Sequence, residues 1–251
     1  MNDARLANAR WPDVEAALKG GKPVVAILPC GATEAHGPHL PLGTDVFISE
    51  GIASFALPKL EEKNVIALVL PSLAYAPAEY AAGFAGTISI GMDAALAVVL
   101  DIAKSLKRQG FKALALANSH FDPSNVAVLR EAAELIAKDV GLPVAFPDFT
   151  RRKLAQGLTA EFQSGACHAG QFEGSLMLAS RPELVDDDVR MSLPDNPTSL
   201  VAAFGRGAKT FEEAGGPQAY FGSPKGANAE EGVATFEKLS DMLVEAILAA
   251  M

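Results

Sequence analysis

Short apolar runs alternate along this chain with longer helical patterns, and this alternation most constrains the fold. Four runs, each ending at proline or asparagine, are strand candidates: residues 23–29, 65–71, 112–118 and 143–147. Three segments between them have helical patterns: residues 45–59, 93–109 and 123–140. Because the runs are apolar throughout, both faces of the strands should be buried. The sequence therefore predicts an α/β fold with a largely parallel sheet covered by helices on both faces.

Composition narrows the classes of function. The chain has 251 residues, of which 49% are hydrophobic, and a formal net charge of -9. The acidic balance argues against nucleic acid or an anionic membrane surface as a partner. The longest apolar stretch, residues 65–82, contains two prolines and a glutamate, and residues 1–11 lack an apolar signal core. We therefore expect one cytoplasmic domain spanning residues 1–251.

The chain contains few histidines, and each lies in a glycine-rich loop or directly after a predicted strand. They are His36, His39, His120 and His168. The first two share the loop after the first strand with Glu34 and Asp45. Imidazoles mixed with carboxylates suit a divalent metal such as zinc or manganese. The alternative is a polar turn in which Asp45 only caps the following helix.

Two further clusters pair a histidine with an acid ahead of a helix. His120 and Asp122 follow the third strand, and His168 precedes Glu173 by five residues. Loops at the carboxyl ends of parallel strands meet at one edge of the sheet, so these groups can join the first cluster. In the plainer alternatives, Asp122 caps the helix that begins at Pro123, and His168 is an ordinary surface or capping residue.

These motifs resemble those of the creatininase (creatinine amidohydrolase) family. The string GATEAHGPHLPLGTD at residues 31–45 resembles the family signature. Four later segments resemble further family motifs in the same order: residues 84–89, 118–120, 168–175 and 220–232. The resemblance spans essentially the whole chain. It implies a three-layer α/β/α sandwich with a mostly parallel mixed sheet.

The resemblance also implies two adjacent divalent ions per chain, zinc or manganese, with iron as a further option. The metal ligands that it implies are Glu34, His36, Asp45, His120 and Asp122. Asp45 would bridge the two ions. His168 and Glu173 match residues placed at the substrate, His168 as proton donor or shuttle. Glu173 would be either a ligand or a base that positions water.

The function implied by the resemblance is metal-dependent hydrolysis of a C–N bond in a cyclic amide, lactam or formamide through a metal-bridging hydroxide. Hydrolysis of a cyclic ketone or lactone of the oxidised inositol type, or metal binding without catalysis, are the alternatives. The implied partners are a small-molecule substrate and other copies of the chain in a homo-oligomer, a hexamer in the family.

Departures from the family pattern argue for a substrate other than creatinine. Creatininase closes its site with tryptophans from the segment between the second and third clusters, whereas Trp11 is the single tryptophan of this chain. Ser119 replaces the usual glycine, and Gly174 the usual threonine. Tyr75, Glu79 and Tyr80 are further candidates for substrate contact.

Overall fold

The computed structural model describes residues 3–251, so residues 1 and 2 of the predicted domain lie outside the described part. Within it, four strands form one sheet: β1 (Val24–Cys30), β2 (Ile66–Val69), β3 (Ala113–Asn118) and β4 (Val144–Ala145). The strand order is β2-β1-β3-β4, and every strand pair is parallel. Antiparallel pairing occurs at isolated bridges such as Thr33–Ile88. The predicted α/β class and mostly parallel sheet are confirmed.

Ten α-helices complete the described chain. They are α1 (Trp11–Lys19), α2 (Thr44–Glu62), α3 (Met92–Gln109), α4 (Pro123–Leu135), α5 (Arg152–Ala155), α6 (Ala160–Ser164), α7 (Gln171–Ser180), α8 (Asp187–Ser192), α9 (Leu200–Gly205) and α10 (Ala229–Ala250). The predicted helical segments correspond to α2, α3 and α4. The last of them continues beyond α4 as a π-helical turn, Ile136–Val140.

Alternate residues of β1 point into two separate hydrophobic cores. Val25 and Ile27 belong to a core that includes side chains of α2, α7 and α10. Val24, Ala26 and Leu28 belong to a core that includes side chains of α3 and α4. Since successive strand residues face opposite sides, a strand covered on both faces must be apolar throughout. This arrangement is the predicted three-layer sandwich.

The carboxyl ends of β1 and β3 lie side by side, which positions the functional loops. Cys30, the last residue of β1, is in register with Asn118, the last residue of β3. The loop that contains the first histidine cluster therefore starts next to the loop that contains His120. In the described part of the chain, no helix is both long and apolar enough to cross a bilayer.

Candidate active site

The loop after β1 folds back so that its polar side chains are buried together. Gly31 is required at the start of this loop, because a Cβ there would lie 2.6 Å from the Val46 backbone nitrogen in α2. Gly37 has a φ of +64°, which glycine adopts without steric cost. As a result, Glu34, His36 and Asp45 are only 4%, 0% and 1% exposed.

The loop after β3 holds His120 against the start of α2. The hydroxyl of Ser119 donates to the Asp45 carbonyl at 2.6 Å and lies 2.8 Å from the Ser49 hydroxyl. These contacts connect the loop after β3 to the start of α2 at Asp45 itself. Serine at this position therefore positions Asp45, a role for which glycine has no side chain.

The loop before α7 brings residues from the second half of the chain to the same site. Ala169 has a φ of +51°, and its N–H donates to Glu173 Oε2 at 2.6 Å. The carboxylate of Glu161 accepts hydrogen bonds from the Phe172 and Ser223 N–H groups at 2.7 and 2.6 Å. Glu161 thus fixes the start of α7, where Glu173 lies. No local motif links positions 161 and 223, so the sequence does not indicate Glu161 as a site residue.

Asp45 lies at the centre of the assembled groups. One of its oxygens, Oδ1, is 3.2 Å from His36 Nε2, and the other, Oδ2, is 2.9 Å from His120 Nδ1. His120 Nδ1 is also 3.1 Å from Glu34 Oε1, and His36 Nε2 is 3.6 Å from Glu173 Oε2. Ligand atoms that share one tetrahedral zinc ion lie about 3.4 Å apart. The spacing is therefore compatible with metal coordination around Asp45.

Backbone carbonyls orient the three imidazoles of the site. His36 Nδ1 lies 3.1 Å from the Glu34 carbonyl, His120 Nε2 lies 2.7 Å from the Pro77 carbonyl, and His168 Nε2 lies 2.9 Å from the Ala35 carbonyl. Because a carbonyl only accepts, the nitrogen facing it carries the proton. When such a ring is neutral, its other nitrogen keeps its lone pair, as a metal ligand requires.

The pKa values of the site residues reflect buried carboxylates whose positive partners within residues 3–251 are imidazoles. Burial disfavours a charge on His36, but Asp45 and Glu173 outweigh this effect and raise the pKa of His36 to about 10. Burial raises the pKa of Glu173 to about 8, although charge on His36 opposes the shift. Burial also acts against the Asp45 carboxylate, yet His36 and His120 hold the pKa of Asp45 below its usual range. A bound positive charge would therefore stabilise the ionised carboxylates of this site.

The structure brings together six of the seven predicted site residues. Three groups have ligand atoms within 4.8 Å of one another: Glu34 with Asp45 and His120, His36 with Asp45 and Glu173, and Glu34 with His36 and His168. Asp122 belongs to none of these groups. Its Oδ1 accepts the Ser124 N–H at 2.7 Å and caps α4, as in the plainer alternative. A ligand role for Asp122 therefore stays a prediction.

A cavity of about 840 Å³ opens onto these groups. Its apolar wall includes Tyr80, which the sequence marks as a candidate, and the phenylalanines Phe162, Phe204 and Phe211. Phe211 packs against the His168 ring with 4.4 Å between centroids. Phe204 and Phe211 come from segments that carry no recognisable motif, so the sequence did not indicate them.

The fourth histidine, His39, is buried beside the site without joining it. It is 2% exposed and packs edge-on against Tyr220 with 6.4 Å between ring centroids. Neither ring nitrogen has a hydrogen-bond partner among residues 3–251. Burial, together with the charge of His36, lowers the pKa of His39 to about 4. The ring is therefore neutral in the folded protein at pH 7.

Acid should destabilise the fold through His39. An unfolded histidine binds its proton near pH 6.5, so between pH 6.5 and 4 the unfolded chain binds more protons than the folded chain. Stability is thus lost as the pH falls through this window, by up to about 3 kcal/mol from this residue. Urea unfolding at pH 7, 6, 5 and 4 should show a smaller loss for His39→Phe. Parallel curves for the two proteins would remove His39 as the cause.

Comparison with known proteins places the chain in a family. The family model for creatininase (creatinine amidohydrolase) matches residues 7–247. A creatinine amidohydrolase of Pseudomonas putida is 33% identical over 193 residues, which are 71% of this chain and 72% of the relative. A mycofactocin precursor peptide peptidase of Mycobacterium ulcerans is 30% identical over 232 residues, 88% of this chain and 83% of the relative.

Solved structures agree with these relatives. A manganese form of creatininase is 27% identical and superposes with a TM-score of 0.78 over 98% of both chains. The agreement in sequence thus extends to the arrangement of the whole described fold. Both of these relatives are hydrolases of carbon–nitrogen bonds, and the chain belongs to the creatininase (creatinine amidohydrolase) family.

Proposed function

We propose that this protein is an amidohydrolase that uses two divalent cations per chain. The first would be held by Glu34, Asp45 and His120, and the second by His36, Asp45 and Glu173. The observation that carries the proposal is the Asp45 carboxylate, whose two oxygens face two different imidazoles. A carboxylate in this position can bridge two ions.

The donor set fits zinc or manganese. Asp45 Oδ2 is buried, yet its contact with His120 lacks the geometry of a hydrogen bond, and no other residue in the range 3–251 satisfies it. A buried acceptor left in this way is costly unless a cation pairs with it. Mixed carboxylate and imidazole ligands suit both metals. Similar creatininase structures include a manganese form and a zinc–zinc form, which supports the same choice here.

Such cations, when bound, lower the pKa of water and polarise an amide carbonyl. His168 is placed to move the proton. Burial lowers the pKa of His168 well below its usual value, so the ring is neutral at pH 7. With Nε2 facing the Ala35 carbonyl, Nδ1 can take a proton from the attacking water. It then protonates the leaving nitrogen as the C–N bond breaks, which yields a carboxylic acid and an amine.

Glu173 connects the proton-transfer group to the proposed cation site. Its Oε2 lies 3.6 Å from His36 Nε2 and 4.0 Å from His168 Nδ1. It also accepts the Ala169 N–H, which fixes the carboxylate in the cluster. Glu173 would hold the second cation and would orient the attacking water towards His168.

Cyclic amides, lactams and formamides are the substrate classes implied by the family motifs. A peptide amide is a second candidate, favoured by the cavity volume of about 840 Å³ and by the mycofactocin precursor peptide peptidase relatives. Ring ketones and lactones remain alternatives that an assay can separate. A single domain over residues 1–251 and a homo-oligomer stay predictions.

Protein purified from cells that were grown with zinc and manganese should contain two equivalents of divalent metal per chain. Elemental analysis measures this content. The same preparation should hydrolyse at least one amide from a panel of lactams, formamides and acetylated peptides, with a ring ketone and a lactone as comparisons. A chelator-treated sample is the control and should lose activity until metal is restored. Less than one equivalent of metal would contradict the two-cation proposal, and turnover of the ketone or lactone alone would contradict amide hydrolysis.

A further inference from the structure

The cavity extends from the cation site along one face of α4. Pro123, Val126 and Arg130 all line it, and their spacing of three and four residues places them on the same side of the helix. Pro123 directly follows Asp122, which lines the inner end together with His120. With a rise of 1.5 Å per residue, Arg130 lies about 10 Å along the helix from Pro123. The cavity is thus long enough for an extended substrate.

Two arginines, Arg130 and Arg152, line the outer end of the cavity, although the chain as a whole is acidic, with a net charge of -9. Arg130 donates through Nε and Nη2 to Asp148 Oδ2 at 2.7 and 2.5 Å, and Arg151 Nε donates to the same oxygen at 3.1 Å. One carboxylate therefore serves two guanidinium groups. Arg152 also lines the cavity and has no ion-pair partner within residues 3–251. This end carries excess positive charge.

We propose that Arg152, supported by Arg130, binds a carboxylate of the substrate. This inference rests on the proposed amide hydrolysis and names its substrate class: a peptide-like amide with a free carboxylate. A guanidinium group recognises a carboxylate through two parallel N–H···O bonds, which gives direction as well as affinity.

The test compares matched peptides and matched variants. N-acetylated alanine peptides of two to five residues are prepared with either a free carboxylate or a carboxamide at the C-terminus. For the metal-loaded enzyme we expect kcat/KM to be roughly 10- to 100-fold higher for the free carboxylates, as one charged hydrogen-bonded contact provides. Arg152→Gln should raise KM by a similar factor with little change in kcat, and Arg152→Lys should restore part of the loss. Arg108→Gln, at an exposed position outside the cavity, should leave the preference unchanged.

A measurement of peptide binding distinguishes failure of this inference from failure of the proposed function. If the metal-loaded wild-type protein hydrolyses no amide, the proposed amide hydrolysis is wrong. Fluorescence anisotropy with labelled versions of the same peptides then shows whether Arg152 and Arg130 recognise the carboxylate. Tighter binding of the free carboxylates that is lost in Arg152→Gln supports the inference. Equal kcat/KM or equal affinity for the two peptide sets, or a preference unchanged by Arg152→Gln, overturns it.

Discussion

Asp45→Ala should lose both cations and reduce amide hydrolysis to background. The two Asp45 oxygens face different sides of the site, one 3.2 Å from His36 Nε2 and the other 2.9 Å from His120 Nδ1. Truncation would therefore remove a ligand from both proposed cations at once. The loss should exceed the roughly 10- to 100-fold effect of removing an outer-shell partner of a metal ligand. Elemental analysis and initial rates on one preparation measure both effects.

Asp122→Asn is the matched control for this experiment. Asparagine is as good a helix cap as aspartate, so α4 should keep its start while the negative charge is lost. We expect two equivalents of metal and a protein of unchanged stability. Loss of one equivalent would make Asp122 a ligand, as the family resemblance implies. Retention of both metals and of activity in Asp45→Ala would show that the bridging role is wrong.

His168→Ala should keep both cations and lower turnover by roughly 10²- to 10⁴-fold, the usual contribution of a positioned acid or base. The ring is held by a contact of 2.9 Å with the Ala35 carbonyl and packs 4.4 Å from the His36 ring, centroid to centroid. Its free Nδ1 lies 4.0 Å from Glu173 Oε2. Metal analysis and kcat on the same sample separate a proton-transfer role from a ligand role.

The nature of the leaving group provides a second readout for His168. An amide whose amine is a better leaving group needs less help from an acid, so its rate should fall less in His168→Ala. Because Glu34, His36 and His168 also form a possible ligand group, loss of one metal equivalent is the outcome that would make His168 a ligand. Unchanged turnover would remove it from the mechanism.

The apolar pattern of the strands was sufficient to predict the fold class. A run such as Val24–Cys30 has no polar face, so it is stable only between two layers of helices, and local propensity agrees with this environment. The crossing helices α2, α3 and α4 follow from segments long enough to return the chain to the start of a parallel strand. The position of the polar loops at the carboxyl ends of β1 and β3 follows from the same parallel arrangement.

The direction of each side chain within those loops was decided only by the tertiary structure. Spacing in the sequence does not distinguish Asp122, which turns back to cap α4, from Glu173, which faces His36. That difference depends on contacts between distant segments, such as Glu161 with Ser223. Arg152 reaches the cavity in the same way, from a segment with no motif of its own. The apolar pattern therefore determined the architecture, whereas long-range packing determined which acids and bases meet, because loop conformations depend on contacts that lie far apart in the chain.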